Sequence, residues 1–357
     1  MPKATDYIDQ MVDMTKKLLE KGHAYKAGES IYYKIDSFDN YGELAKLDNF
    51  DQLKKNAEGR LSSADEYEKD DVRDFALWKA YEESDGDVFW EPDLGKGRPG
   101  WHIECSVMSS DLLGKTFDMH LGGVDLIFPH HTNEIAQSEG TSGKKFVNYW
   151  LHNEHLLVDG KKMSKSLGNF YTLRDLQEKH HKPEAIRYLL LATHYRQKLN
   201  FTFKSLEAAQ NSVDRLQDFQ RNLTHTINKD TKAKNHPKVI PLIEKAKTDF
   251  EKRLDDDLNI SEALAVIFDF MRDINKLELS KKNAEDILTL INNFNKIIGV
   301  LQTEQDTLEP ELQTLIDQRE QARADKNFEE SDRIRDELKK KSILLDDTPE
   351  GVIWKRV

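Results

Sequence analysis

The sequence predicts an α/β region followed by an all-α helical bundle and a small C-terminal tail, on three observations. Between residues 101 and 179, strand-like, loop-like and helix-like segments alternate, the pattern of half a doubly wound parallel sheet. Beyond Pro183 strand signals vanish and apolar residues recur with the helical period. Polar breaks such as Asn228-Lys229-Asp230 and Asp255-Asp256-Asp257 divide that second half into separate helices.

Taken in order, residues 5–21 form an amphipathic helix with Ile8, Met11, Val12, Leu18 and Leu19 on one face and Gly22 as its stop. Residues 30–36 alternate as a strand, and Tyr41-Gly42 is a turn. Residues 48–74 become polar and charged, with Arg60-Leu61-Ser62-Ser63-Ala64 in a flexible excursion. Gly95-Lys96-Gly97-Arg98-Pro99-Gly100 is a loop delivering Trp101-His102-Ile103-Glu104-Cys105 into a helix. Residues 116–121 read as a short buried strand ending at Gly122-Gly123, and a helix then carries His130 through Gln137. Residues 149–158 read as another buried strand, ending at Asp159-Gly160, and Thr172 offers a hydroxyl cap to the next helix. Helical periodicity then covers residues 185–193, 204–223, 239–253, 261–277, 284–298 and 312–324. One more charged helix and a tail with Trp354 complete the chain.

At 357 residues the chain has room for two or three domains. Its 38% hydrophobic and 33% charged content is that of a globular chain. No apolar run approaches the roughly 20 residues that span a bilayer, and Met1-Pro2-Lys3-Ala4-Thr5-Asp6 lacks the apolar core of a signal peptide. A single cysteine, Cys105, excludes an intrachain disulfide framework and fits a reducing cytoplasm. A net charge of −12 argues against a general polyelectrolyte binder of nucleic acid, while leaving room for local basic patches.

Two constellations carry chemistry. Gly160-Lys161-Lys162-Met163-Ser164-Lys165-Ser166-Leu167-Gly168-Asn169 places lysines and serines on a glycine-bounded loop after a strand, where open parallel sheets bind ligands. Ammonium and hydroxyl groups there suit a polyphosphate, although charged loops are commonly just surface. Cys105, His130 and Glu134 have metal-ligand chemistry, and the last two stand four apart, a spacing that lets both reach one ion from a helix. The bland alternative makes Cys105 a small buried apolar residue, His130 a helix cap, His131 a solvated neighbour and Glu134 a surface acid.

The word Lys162-Met163-Ser164-Lys165-Ser166 resembles the signature loop of class I aminoacyl-tRNA synthetases. Gly100-Trp101-His102-Ile103-Glu104-Cys105-Ser106 and the run Phe128-Pro129-His130-His131, Asn133-Glu134-Ile135-Ala136-Gln137 extend that resemblance to the cysteinyl-tRNA synthetases. Leu254-Asp255-Asp256-Asp257-Leu258-Asn259 and Asp347-Thr348-Pro349, then Gly351, carry it along the whole chain. The resemblance implies the C-terminal half of a Rossmann-type catalytic domain with a connective insertion. It implies domains at 1–95 (connective region), 96–200 (second Rossmann half with metal residues and signature loop), 201–305 (anticodon-binding bundle) and 306–357 (tRNA-contacting subdomain).

By the same resemblance Lys162 and Lys165 are catalytic, Lys165 stabilising the ATP phosphates. Trp101, His120 and Asp125 line the cysteine and adenylate pocket, and Cys105, His130 and Glu134 hold one zinc ion that binds the substrate thiolate. A thiolate is a far better zinc ligand than a serine hydroxyl at neutral pH, which implies selection of cysteine without editing. The implied substrates are L-cysteine, ATP with magnesium, and tRNA(Cys), handled by a cytoplasmic monomer. The chain contains neither the family's His-x-Gly-His motif nor its further zinc-ligand cysteine. An N-terminal truncation of about a hundred residues, roughly one βαβαβ unit, is therefore expected. Arg319, Arg323, Lys326, Arg333 and Arg335 are candidates for RNA contact, against a background of 10 basic and 11 acidic residues from Asp317 to Val357 that suits an ordinary salt-laced surface. Competing readings are the related cysteine ligase of mycothiol synthesis and a catalytically incomplete tRNA-binding remnant.

Overall fold

The computed structural model describes residues 1–47, 74–229, 233–301, 308–348 and 351–356. The expected excursion at residues 60–64 and nearly all of the charged stretch around it lie outside the described residues. The chain divides into two units, Met1–His155 and Leu156–Val357. No helix among the described residues is long and apolar enough to cross a membrane.

In the first unit, helix α1 (Ile8–Glu20) buries Ile8, Met11, Val12, Met14, Thr15 and Leu18, the face its 3.6-residue period lays down. An antiparallel sheet follows, with strands β1 (Ala24–Ala27), β2 (Ser30–Tyr33), β3 (Phe75–Ala80) and β4 (Gly97–Pro99) in sequential order. The strand expected over residues 30–36 ends at Tyr33, because Ile35–Ser37 winds into a 3-10 turn. The segment expected to be a loop, residues 95–100, instead supplies β4, pairing Trp78 with Pro99 and Ala80 with Gly97. Gly100 ends it so close to the β3 backbone that a Cβ would sit 2.0 Å from the Ala76 carbonyl oxygen. Only glycine permits that approach. Helix α2 (Trp101–Leu113) starts at once and buries Ile103, Ser106 and Val107.

Strand β5 (Phe117–Gly123), helix α3 (Thr132–Ser142) and strand β6 (Val147–Asn153) form a parallel βαβ crossover, with His120 opposite Trp150 and Gly122 opposite His152. The buried strand expected over residues 149–158 is two strands, β6 and β7 (Leu156–Val158), separated at Glu154-His155. Neither β5 nor β6 is buried throughout: Met119, Leu121 and Tyr149 are 59%, 63% and 67% exposed. Strand side chains alternate between faces, and α3 residues pack on the face that carries His120. Among the described residues nothing comparable covers the Met119 and Leu121 face.

In the second unit β7 pairs with β8 (Lys161–Lys162) and, in parallel, with β9 (Leu199–Phe201). Strands therefore continue past Pro183, contrary to the sequence expectation. Three residues are too few to show an alternating pattern. Helices α4 (Leu173–Glu178), α5 (Pro183–Leu191), α6 (Phe203–Asn228), α7 (Val239–Asp255), α8 (Ile260–Ile274) and α9 (Lys281–Ile298) follow. Thr172 caps α4 by accepting from the Asp175 amide while the Asp175 carboxylate accepts from the Thr172 amide. Leu206, Val213, Leu216, Phe250, Ile267, Ile287 and Phe294 belong to one apolar core of these helices. Asp257 and Leu258, both at positive φ, make the tight turn from α7 to α8. The Asp257 carboxylate accepts from Arg196 and Tyr195.

Helices α10 (Pro310–Ala324) and α11 (Phe328–Lys340) pack with the hairpin β10 (Ile343–Thr348) and β11 (Gly351–Arg356) around Leu312, Ile316, Ile334, Leu338 and Ile343. Trp354 packs against this small core as an anchor for the tail. Arg319, offered to RNA by its spacing, is wholly buried and grips the Asp347 carboxylate with both Nη atoms, at 2.5 and 2.8 Å. Arg323 and Arg335 also pair with Asp347, and Arg333 pairs with Glu330 and Glu337. A buried fork on a carboxylate is a structural device, so Arg319 is not available to phosphates.

The pairing with Arg319 holds the Asp347 carboxyl well below the usual range, at about 2. Arg319 is buried while Asp347 is partly exposed, so Arg319→Ala loses charge-assisted hydrogen bonds without stranding a buried carboxylate and should lower unfolding stability by about 1.5–3 kcal/mol, read from the urea midpoint. A folded pKa below the unfolded value of about 3.9 makes Asp347 stabilising above about pH 4 and progressively less so as pH falls through 2. The stability gap between the parent chain and Asp347→Asn should accordingly be wide at pH 7 and close on acidification.

Candidate functional site

Four elements of the first unit converge on one carboxylate. Helix α2 contributes His102 and Cys105, strand β5 contributes His120, and β6 contributes Trp150 and His152. A wide turn, Ile127–His131, delivers His130 and His131 into α3, whose first turn carries Glu134. His130 thus stands just before the regular helix rather than within it, yet its Nε2 lies 3.0 Å from Glu134 Oε1. Tyr33 donates to the Ala136 carbonyl at 2.9 Å, Tyr41 to Asn133 at 2.5 Å, and Ser106 to Gln137 at 2.6 Å. These bonds pin α3 to β2, to the turn at Tyr41 and to α2.

Ligand atoms of Cys105, His130 and Glu134 all lie within 4.8 Å of one another. Glu134 is fully buried, and neither carboxylate oxygen has a hydrogen-bond partner. Unmet buried acceptors cost on the order of 1–3 kcal/mol each, more when charged. A thiol, an imidazole and an orphaned carboxylate within reach of one point fit a divalent cation of borderline softness. Burial, reinforced by Glu134 and Glu104, pushes the Cys105 thiol up to about 12. The thiol therefore stays protonated until a cation replaces that negative field, and binding would release its proton.

A ring of imidazoles surrounds the carboxylate. His130 Nδ1 meets His102 Nδ1 at 2.8 Å, and His131 Nδ1 meets His152 Nε2 at 2.8 Å. His120 Nδ1 is 3.7 Å from Glu134 Oε2, and its ring stacks on Trp150. Burial and the neighbouring histidines hold His131 down to about 3, and burial lowers His120 as well, so both rings are neutral at pH 7. The Trp101 ring lies 4.7 Å from that of His130 and is 63% exposed. Asp125 sits on the 3-10 turn Val124–Leu126, its carboxylate folded over Gly123.

A solvated His131 and a surface Glu134 are both ruled out by burial, since His131 is 1% exposed and Glu134 is 0%. Sequence reasoning did not assign His102, His131 or His152 to the site. The cue for His102 was its place three residues before Cys105. His152 enters through register opposite Gly122, which only strand pairing reveals.

In the second unit, Asp159 and Gly160, both at positive φ, turn β7 into β8, so Lys162 lies on a hairpin strand opposite Leu157. Asn169 braces the loop, accepting from the Ser164 amide at 2.9 Å and donating to the Lys162 carbonyl at 3.1 Å. Lys165 starts a 3-10 turn capped by Ser164, with its ammonium 5.6 Å from the Phe170 ring centre. Both lysines are exposed and able to meet an anion.

Comparison with known proteins gives a consistent answer. Residues 1–211 match the family model of class I (C) tRNA synthetase catalytic domains, and residues 249–302 match the DALR domain. The cysteine–tRNA ligase of Protochlamydia amoebophila is 49% identical, with 99% of this chain aligned to 75% of that protein. That of Chlamydia muridarum is 46% identical, with 100% of this chain aligned to 77% of its length. Among solved structures, a putative arginyl-tRNA synthetase from Campylobacter jejuni superposes with a TM-score of 0.53 at 14% identity, covering 85% of this chain and 63% of that one, which is a likeness of fold.

Gly122 gives the site a sharp test. A Cβ there would stand 2.5 Å from His131 Cε1 and 3.1 Å from Leu126 Cδ1. Gly122→Ala should displace the imidazole ring, lowering stability by about 1–3 kcal/mol in thermal unfolding.

Proposed function

The chain belongs to the cysteine–tRNA ligase family of class I aminoacyl-tRNA synthetases, and from that premise we propose that Cys105, His130 and Glu134 hold one zinc ion facing the substrate side chain. Zinc, when bound there, supplies a soft Lewis-acid contact that a cysteine thiolate satisfies and a serine hydroxyl does not. Cys105, His130 and Glu134 would hold the ion from the protein side, and the family's further cysteine ligand is not among the residues of this chain. The orphaned carboxylate of Glu134 carries this reading, since its surroundings offer two imidazoles and a thiol but no hydrogen-bond donor in place.

The residues then divide the work. Trp101, His120 and Asp125 line the pocket for cysteine and its adenylate, Asp125 serving the substrate amino group or the ribose. Lys162 and Lys165 hold the phosphates of ATP, bound with magnesium. The cysteine carboxylate attacks the α-phosphorus, pyrophosphate leaves, and charge building on the phosphate oxygens is met by the ammonium groups. A terminal hydroxyl of tRNA(Cys) then attacks the adenylate carbonyl and AMP departs. The helices of the second unit, including the DALR match, serve tRNA recognition, and the reaction belongs to the reducing cytoplasm, where Cys105 stays unoxidised.

Discrimination between cysteine and serine by the zinc-loaded chain is the measurement to make. Calorimetric titration should show cysteine binding at least about 100-fold more tightly than serine, because loss of a specific polar contact separates near-isosteres strongly. Serine binding within tenfold of cysteine would remove the metal-based account of specificity.

A further inference from the structure

Glu134 faces two sets of donors, and the ligand set above uses only one of them. Its Oε1 is turned to His130 at 3.0 Å, while its Oε2 is turned to His120 at 3.7 Å. Ligand atoms of His120, His131 and Glu134 lie within 4.8 Å of one another, the same closeness as in the set containing Cys105. Both oxygens of this fully buried carboxylate lack a hydrogen-bond partner. One ion on the thiol side does not account for an orphaned oxygen on the other.

We propose that His120, His131 and Glu134 form a second position for a divalent cation, competing with the thiolate position for the carboxylate they share.

The two positions are built alike. Behind His130 stands His102, and behind His131 stands His152, each at 2.8 Å across ring nitrogens. An outer partner of this kind orients a ligating imidazole and selects its tautomer. His131 is bonded through Nδ1, which leaves Nε2 as the nitrogen it offers. The His120 and His131 rings are 4.7 Å apart and both pack on Trp150, so neither swings freely. Two imidazoles and a carboxylate without sulfur suit zinc, cobalt or nickel, and suit neither copper(I) nor the all-oxygen preference of magnesium and calcium. Two dications on one carboxylate would repel strongly at this separation, hence competition rather than joint filling.

Cobalt(II) separates the positions spectroscopically, and the test does not depend on ligase activity. In Cys105→Ala the thiolate-to-cobalt charge-transfer band must vanish, which reports on the first position alone. The second position predicts that this variant still binds one cobalt ion, with visible d–d bands. Adding His120→Ala or His131→Ala to Cys105→Ala should weaken that binding at least about tenfold. Adding His130→Ala instead should change it less than about threefold, within the variation expected of a neighbouring residue. His120 is partly exposed, so its alanine variant keeps the test valid if the His131 variant misfolds, and thermal melts of the metal-free proteins check this. Absence of cobalt binding by Cys105→Ala overturns the proposal. So does residual binding lost with His130→Ala but kept with His120→Ala.

Discussion

A carboxylate sealed from solvent with nothing donating to it is the constraint around which the first unit is organised. Glu134 sits on the first turn of α3, fully buried, with both oxygens unmet. Buried polar groups are nearly always satisfied, and one left open usually has a ligand or a chemical task. Imidazoles on two sides and a thiol within reach make a cation the natural partner. Much of the surrounding structure holds that geometry: Ser106 on Gln137, Tyr41 on Asn133 and Tyr33 on Ala136 fix α3 by three side-chain bonds. The histidines behind His130 and His131 fix the rings.

The βαβ crossover shows how backbone geometry enters site chemistry. Period-two alternation along β5 puts His120 and Gly122 on the face that α3 covers. Gly122 leaves room for the His131 ring, and its partner across the register is His152, which bonds that ring. One strand pairing therefore sets three residues at once. The opposite face of the same strands leaves Met119, Leu121 and Tyr149 exposed.

Opposite logic governs charge in the second unit. Along α10 and α11 the arginines look like an RNA-facing stripe, yet three of them, Arg319, Arg323 and Arg335, converge on Asp347 of the hairpin. The stabilisation comes from tying α10, α11 and β10 to a single carboxylate. Lys162 and Lys165, on the hairpin and turn of the same unit, are exposed as well. There Asn169 and Ser164 set the backbone while the ammonium groups stand exposed, where an anion can reach them.

The amino-acid sequence by itself determined the order of architecture, the long helices, the signature loop and the three residues that meet at the candidate metal position. These are properties of local period, capping and short motifs: apolar spacing in α1, the Thr172 and Asp175 box, and His130 and Glu134 four apart. Tertiary structure alone decided which strands pair, which face of each is covered, and what becomes of isolated polar residues. Short strands such as β4, β7 and β9 carry too few residues for a period. The fates of His102, His131, His152 and Arg319 depend on partners 21 to 28 residues distant. Burial of a polar group is stable only when such distant partners arrive in register, and no local pattern in the chain encodes that arrival.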